Sequence, residues 1–453
     1  MVKMKKQILM TEIEIVNFFK DFNWSIFAYD TETTDLRLDK LEMTGISFCD
    51  GSKACYIPVD SIKNIMGLNC VNKDVVFKIL EQNAHKIKHM VAHNCIFDGK
   101  VLYKIGFYIN DYNNIKMHDT IVMAHLINEN LKSKGLKQLT ELYFGIKPIK
   151  FDEVKANHYS NQFFEYGCDD AINTFNLFKL LLQKLKEEQL LDLYLNFEVP
   201  FQNCLLEMQI EGIDINRKLL EDTTLLLSKE LENVEYEMCK EIDIPISKEI
   251  DLFGNVIRIK HQYNFSSSKQ LAEILFDKLG LPVIEKTATG LPQTGKLTID
   301  KYKNGIPFVS LLNKYKIIEK LYTAFFKPLS DYIESDGRIR PQFNDTGTVT
   351  GRLSSNSPNC QQLPKPNPDF PIETRECFTV PPGYKMFSCD YSGQELRVMA
   401  HLSKEPGMIE AFHNNSDLHL SVANDVWDLG IPKECLQTNH PEYECWKKKY
   451  KKE

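Results

Sequence analysis

In FAYDTETTD, residues 27–35, two acids stand one residue apart at the end of an apolar run. Side chains alternate faces along a strand, so Asp30 and Glu32 point the same way. Two carboxylates on one face repel unless a positive charge lies between them, and Mg²⁺ or Mn²⁺, which prefer hard oxygen ligands, commonly supply it. Two later stretches offer the same chemistry. In HNCIFD, residues 93–98, Asn94 ends a predicted strand and Asp98 opens a predicted helix. In FEYGCDDA, residues 164–171, Tyr166 and Asp170 stand four apart on a predicted helix and share its face. Each piece alone has an ordinary alternative: a solvated strand edge, a turn former ahead of a helix, an exposed helix face. Their order along one predicted domain favours a shared metal site.

The elements that must position these residues follow from periodicity. WSIFAYD, LEMTGISFC and ACYIPV, between 24 and 60, predict a strand meander. NKDVVFKILEQN (72–83) predicts a helix, KIKHMVAHN (86–94) a strand and FDGKVLYKIG (97–106) a short helix closed by glycine. Such alternation means an α/β domain with a mixed sheet. Residues 119–190 read as almost wholly helical, and the first domain boundary is expected near 190, ahead of Pro200. Long amphipathic helices are predicted over 217–242 and 306–334, separated by the Gly- and Pro-containing loop EKTATGLPQTGK (285–296). A final segment places a predicted strand, YKMFSCDYS, before a predicted helix, QELRVMAHLS. The terminal KKKYKKE is the nearest approach to a low-complexity tract.

The chain has 453 residues, 43% of them apolar and 26% charged, enough for two or three domains with real cores and unlike a disordered or fibrous protein. Twelve cysteines without a CxxC pair argue against structural zinc and suit a reducing cytoplasm. Glu12 and Glu14 interrupt the apolar N-terminal run, so no signal peptide is predicted, and no later stretch reads as a membrane span. Net charge is −7, yet residues 249–352 carry 15 Lys+Arg against 11 Asp+Glu, a local basic surplus inside an acidic chain. The acidic remainder fits carboxylate metal chemistry and a merely solvated surface equally well.

DTETT, HNCIFD and YGCDD, in that order, resemble the three motifs of the proofreading 3′-5′ exonucleases with a ribonuclease-H-like fold, over residues 20–185. The resemblance implies that Asp30, Glu32, Asp98 and Asp170 hold two ions of Mg²⁺ or Mn²⁺, that Tyr166 orients the attacking water, and that Asn94 meets the DNA strand. TGRLSSNSPNCQQLP (350–364) and SCDYSGQELRVMAHLS (388–403) resemble the palm of family-A DNA polymerases, the group containing bacterial DNA polymerase I. YNFSSSKQLAEILFDKLGLP (263–282) and KTATGLPQTGK (286–296) resemble the thumb. This implies Asp390 as a ligand of the catalytic metals with Tyr391 beside it, Glu395 excluding a ribose 2′-OH, and His419 near the incoming triphosphate. It implies Lys269, Arg352, Asn359 and Gln361 on primer and template. Read singly, Asp390 could equally be a helix N-cap and Arg352 a surface arginine after a glycine turn. Gly393 stands where many relatives carry Gln, so a side-chain contact there is not carried over.

The expected architecture is a ribonuclease-H-like exonuclease domain over 1–190, a helical thumb over 191–340 and an incomplete α+β palm with the start of the fingers over 341–453. Family-A polymerases continue with a fingers helix and a second metal-binding carboxylate, so the resemblance implies an N-terminal portion whose templated synthesis needs a missing C-terminal half, and exposed apolar residues around 396–427. DNA and deoxynucleoside triphosphates are the implied partners, with no membrane, in a bacterial or phage-like cytoplasm. A non-catalytic primer-template-binding half is the rival reading; an RNA exonuclease would have no use for the palm motifs.

Overall fold

The computed structural model describes residues 4–59, 70–157, 160–250 and 256–450, with the side chains of 248–250 and 256–259 left aside. The last three residues of KKKYKKE lie outside it. The chain divides into two compact units, Met1–Gly383 and Tyr384–Glu453.

The first unit opens on β1 (Lys5–Ile8), α1 (Glu12–Phe19), β2 (Ile26–Thr33), β3 (Met43–Cys49) and β4 (Lys53–Pro58). Then come α2 (Lys73–Asn83), β5 (His89–Ala92), α3 (Cys95–Lys104), β6 (Lys116–Asp119), α4 (Thr120–Ile127), α5 (Leu136–Phe144), α6 (Phe151–Val154) and α7 (Asn161–Glu187). The six strands form one sheet in the order β1-β4-β3-β2-β5-β6. It is mixed: β3 runs antiparallel to β2 and β4, while β1 pairs parallel with β4, β5 with β2, and β6 with β5. The expected meander is β2 to β4. Short β1 and β6 carry too few apolar alternations to announce themselves, and pairing with a neighbour makes them strands.

Period-two alternation sorts β2 between the two faces of the sheet. Phe27 and Tyr29 join an aromatic core with Phe19, Phe22, Trp24 and Phe48, in which ring centroids stand about 5–6 Å apart. Fully burying one such Phe contributes roughly 1.5–3 kcal/mol. Ala28 faces the opposite side, packing with Ala171 and Phe175 of α7. Asp30 and Glu32 share its parity and face α7. They pair with Ser47 and Gly45 of β3, and a register shift after Glu32 ends regular pairing.

α7 lies close to the sheet because Gly167, inside YGCDD, faces the Tyr56 ring; an added Cβ would stand 2.5 Å from Tyr56 Cδ2. Glycine inside a helix costs about 1 kcal/mol against alanine. Close approach of helix and strand is what it permits here.

The first core does not stop near 190. After α8 (Leu191–Leu193) and a π-helical turn at Tyr194–Glu198, the chain continues as α9 (Val199–Glu211), whose Leu205, Leu206 and Ile210 are buried in the first core. Pro200 therefore does not end the helical run. It lacks an N–H for the i→i−4 ladder, and the π-helical turn just before it absorbs the defect. Tyr322–Phe326, ahead of Pro328, repeats the device.

A second core follows. β7 (Ile213–Ile215) leads into α10 (Arg217–Glu241), then the hairpin β8 (Ser247–Ile250) and β9 (Val256–Lys260), α11 (Ser268–Ala272) and α12 (Lys296–Tyr302). The predicted 306–334 helix is α13 (Pro307–Leu321), the π-helical turn and α14 (Lys327–Asp331). α10 packs along α13, burying Leu227, Val234, Phe308 and Leu312. β10 (Arg338–Ile339), β11 (Gln342–Asn344), β12 (Ser354–Asn356) and β13 (Phe378–Thr379) complete the unit, with β7 central in a β10-β7-β13 sheet.

The second unit holds α15 (Gln394–Ser403), α16 (Pro406–His413), α17 (Leu418–Trp427) and α18 (Tyr443–Tyr450) around a small core of Leu420, Ile431, Cys435, Leu436 and Tyr443. The strand predicted at YKMFSCDYS is not formed: residues 384–390 belong to no sheet. A strand needs a partner for its ladder, and none of the described strands pairs with it. Its Tyr384, Met386 and Phe387 are exposed, as are Val398, Met399 and Leu402 of α15, in line with the expectation for 396–427.

Candidate active site

Three elements bring the predicted acids into one neighbourhood. β2 brings Asp30 and Glu32, α3 brings Asp98 in its first turn, and α7 brings Tyr166 and Asp170. Asp98 is 2% and Asp170 4% exposed. Thr31, between the two strand acids, faces the α3 side and donates from both its backbone N (3.0 Å) and its Oγ1 (2.6 Å) to Asp98 Oδ1. Those bonds tie strand to helix.

The carboxylates act on one another's charge. Burial, then the Asp170, Asp98 and Glu32 charges, push the Asp30 carboxyl well above the usual range. Glu32 rises to about 8 by burial and by Asp170 and Asp98. Asp98 also reaches about 8 through burial, against the lowering by the Thr31 hydrogen bonds. Asp170 is raised by burial and lowered by Lys137, whose Nζ touches Asp170 Oδ1. Lys137, on α5, also lies 4.0 Å from the Tyr166 ring centroid. Burial and the neighbouring Asp170 carboxylate raise the Tyr166 phenol, which lies within hydrogen-bonding reach of Asp170. At neutral pH this phenol stays protonated and is a donor rather than a base.

Asn94 caps α3 in the left-handed region, φ 76°, with no side-chain cap bond, and is exposed. That strained turn is braced from behind. Asp119, the N-cap of α4, accepts from the backbone N–H of Asn94 (3.2 Å), Cys95 (2.7 Å) and Ile121 (2.7 Å), clamping two helix starts. Burial still raises it to about 6. A polar cavity of about 230 Å³ lies behind the turn, where Gln202 of α9 donates to Asp345.

Sequence reasoning missed Lys137 and Asp119. Asp119 had a detectable signal, an N-cap acid followed by an apolar helix. For Lys137 there was none, since it is one of many lysines and its partner lies 33 residues away.

The donor set is all hard oxygen, buried at Asp98 and Asp170 and half-buried at Asp30 and Glu32, and more negative than its lysine offsets, which fits a divalent cation. Among the described residues no three carboxylate, imidazole or thiolate groups stand close enough together to hold a metal ion. Lys137 occupies Asp170.

The remaining predicted residues are not gathered this way. In the first unit Lys269, Arg352, Asn359 and Gln361 are exposed, and Asn359 Oδ1 caps a short turn by accepting from Gln361 N at 3.1 Å. In the second, Asp390 and Tyr391 lie in the exposed segment before α15, Glu395 in the first turn of α15, and His419 on α17 beside a cavity of about 680 Å³ lined also by Trp427 and Tyr450. Among the described residues no helix is long and apolar enough to cross a membrane, and all twelve cysteines are free.

Comparison with known proteins matches residues 7–186 to the 3′-5′ exonuclease family and residues 231–438 to DNA polymerase family A. DNA polymerase I of Borreliella burgdorferi is 30% identical over 94% of this chain and 45% of its own length. That of Pseudomonas aeruginosa is 28% identical over 90% and 44%. The chain thus spans under half the length of these relatives. A solved structure described as the POL domain of Pol1 from M. smegmatis in complex with DNA primer-template and dNTP shares the fold, with TM-score 0.74 and 24% identity over 97% of this chain and 69% of that one.

Proposed function

We propose, from the premise that this chain belongs to DNA polymerase family A and carries a 3′-5′ exonuclease domain ahead of its polymerase domain, that it removes 3′-terminal nucleotides from DNA in a metal-dependent reaction. The observation that carries this is the convergence of four acids from β2, α3 and α7, with Tyr166 beside them. On this reading the sheet and its helices are a ribonuclease-H-like exonuclease domain, the α10–α14 region a thumb, and the β10–β13 region with the second unit part of a palm and the start of the fingers.

Asp30, Glu32, Asp98 and Asp170 would hold two ions of Mg²⁺ or Mn²⁺. Such ions, when bound, activate a water and stabilise the entering and leaving oxygens of an in-line phosphodiester hydrolysis. Thr31 aims Asp98 through its two hydrogen bonds. Tyr166, kept protonated by burial, orients the water as a donor. Asn94 would meet the strand. In the polymerase domain Asp390 and Tyr391 would serve the catalytic metals, Glu395 and His419 the deoxynucleoside triphosphate, and Lys269, Arg352, Asn359 and Gln361 the duplex. Templated synthesis would draw on fingers and palm carried by a further stretch of polypeptide. The twelve free cysteines, most of them buried, suit a reducing cytoplasm.

The test is degradation of a 5′-labelled DNA primer, single-stranded and annealed, with Mg²⁺ and with or without dNTPs, for wild type and Asp30→Ala/Glu32→Ala. Stepwise shortening that falls at least roughly a thousand-fold in the variant is expected, the scale of losing about 4 kcal/mol of transition-state stabilisation. DNA binding without metal-dependent shortening would favour the non-catalytic binding half instead.

A further inference from the structure

We infer that Lys137 is the built-in counter-ion of the carboxylate cluster, holding Asp170 and the Tyr166 ring when no metal is bound and surrendering Asp170 when metal enters. This rests on the exonuclease reading and deepens it. The Lys137 side chain is only 17% exposed, so its ammonium is largely withdrawn from water, and its partners are the Asp170 carboxylate and the face of Tyr166. The same ammonium lowers the carboxyls of Asp30 and Glu32. His93, nearby on the other side, is pushed down to about 3 by burial and by Lys137, stays neutral, and adds no positive charge. One lysine therefore acts on three of the acids, Asp30, Glu32 and Asp170.

A divalent ion and Lys137 compete for the same Asp170 oxygens. Linkage makes the competition reciprocal: whatever the lysine gains from Asp170 in the empty site is lost when the ion binds. A lysine that merely props up the fold would keep its partner in both states and leave metal affinity alone.

The test measures Mn²⁺ binding to the whole chain by calorimetry, taking Asp30→Ala/Glu32→Ala as background, for wild type, Lys137→Met, Lys137→Gln and the charge-retaining Lys137→Arg. Removing the lysine should tighten Mn²⁺ on the order of tenfold, one ion-pair exchange being worth about one decade of affinity at a partly screened site. In EDTA the two neutral variants should melt below wild type, and saturating Mn²⁺ should close that gap. Lys137→Arg should track wild type in both readouts. Equal or weaker Mn²⁺ binding by folded Lys137→Met and Lys137→Gln would overturn the inference while leaving the exonuclease reading intact. Absence of site-specific Mn²⁺ binding in every variant would overturn both.

Discussion

Asp170 lies in the stretch that matches the 3′-5′ exonuclease model and Asp390 in the stretch that matches DNA polymerase family A, yet their surroundings differ. Asp170 is 4% exposed on a helix packed against a sheet, with Tyr166, 8% exposed, one turn away. Asp390 lies in an exposed segment outside any sheet, followed by Tyr391 at 80% exposure. In the first region strand, helices and turn arrive together, and burial plus mutual repulsion raises the carboxyls. In the second, the acid stands on backbone without a ladder and apolar side chains without a cover. A motif specifies which residues are available; neighbouring elements make them a site.

The comparison is tested hardest at Gly167. Gly167→Val drives side-chain carbon into the Tyr56 ring and should destabilise the first unit by about 1–3 kcal/mol in urea unfolding, with the proposed exonuclease activity falling because Tyr166 and Asp170 ride on the same helix. A variant of unchanged stability and activity would mean that close packing of α7 is not what forms the site.

A finer test concerns Asp119, the clamp behind Asn94 and Asp98. Its folded carboxyl is raised to about 6 from an unfolded value near 4. Its stabilising contribution is therefore full below the unfolded value and lost as pH rises through about 6, where the buried group must ionise. The melting temperature of wild type relative to Asp119→Asn should decline between about pH 4 and 6 and then level off. A gap that grows over that range would reverse the assignment of burial as the dominant cause.

The smallest effect is expected in the second unit. Phe387 is 86% exposed, so Phe387→Ser should change stability by no more than about 0.5 kcal/mol. A loss comparable to that of Gly167→Val would show that the 384–390 segment is covered in solution, and the contrast between the regions would shrink accordingly.

Much of the first region was legible beforehand. The β2–β4 meander, the helices α2, α3, α7, α10 and α13, and the shared face of Asp30 and Glu32 follow from periods of 2.0 and 3.6, which are local properties of the backbone. What periodicity could not supply were short β1 and β6, the continuation of the first core through Pro200 into α9, and the missing strand at 384–390. Each depends on a partner element rather than on the segment's own pattern.

Residue types and order along the chain thus determined the acids, their spacing, and the helices and strands that carry them. Tertiary structure alone decided that Thr31 and Asp98 meet across 67 residues, that Asp119 braces the turn before α3, and that Lys137 reaches Asp170. The reason is physical: alternation and helical pitch act over a few residues, whereas burial, charge pairing and strand pairing exist only between segments that the fold has already brought together.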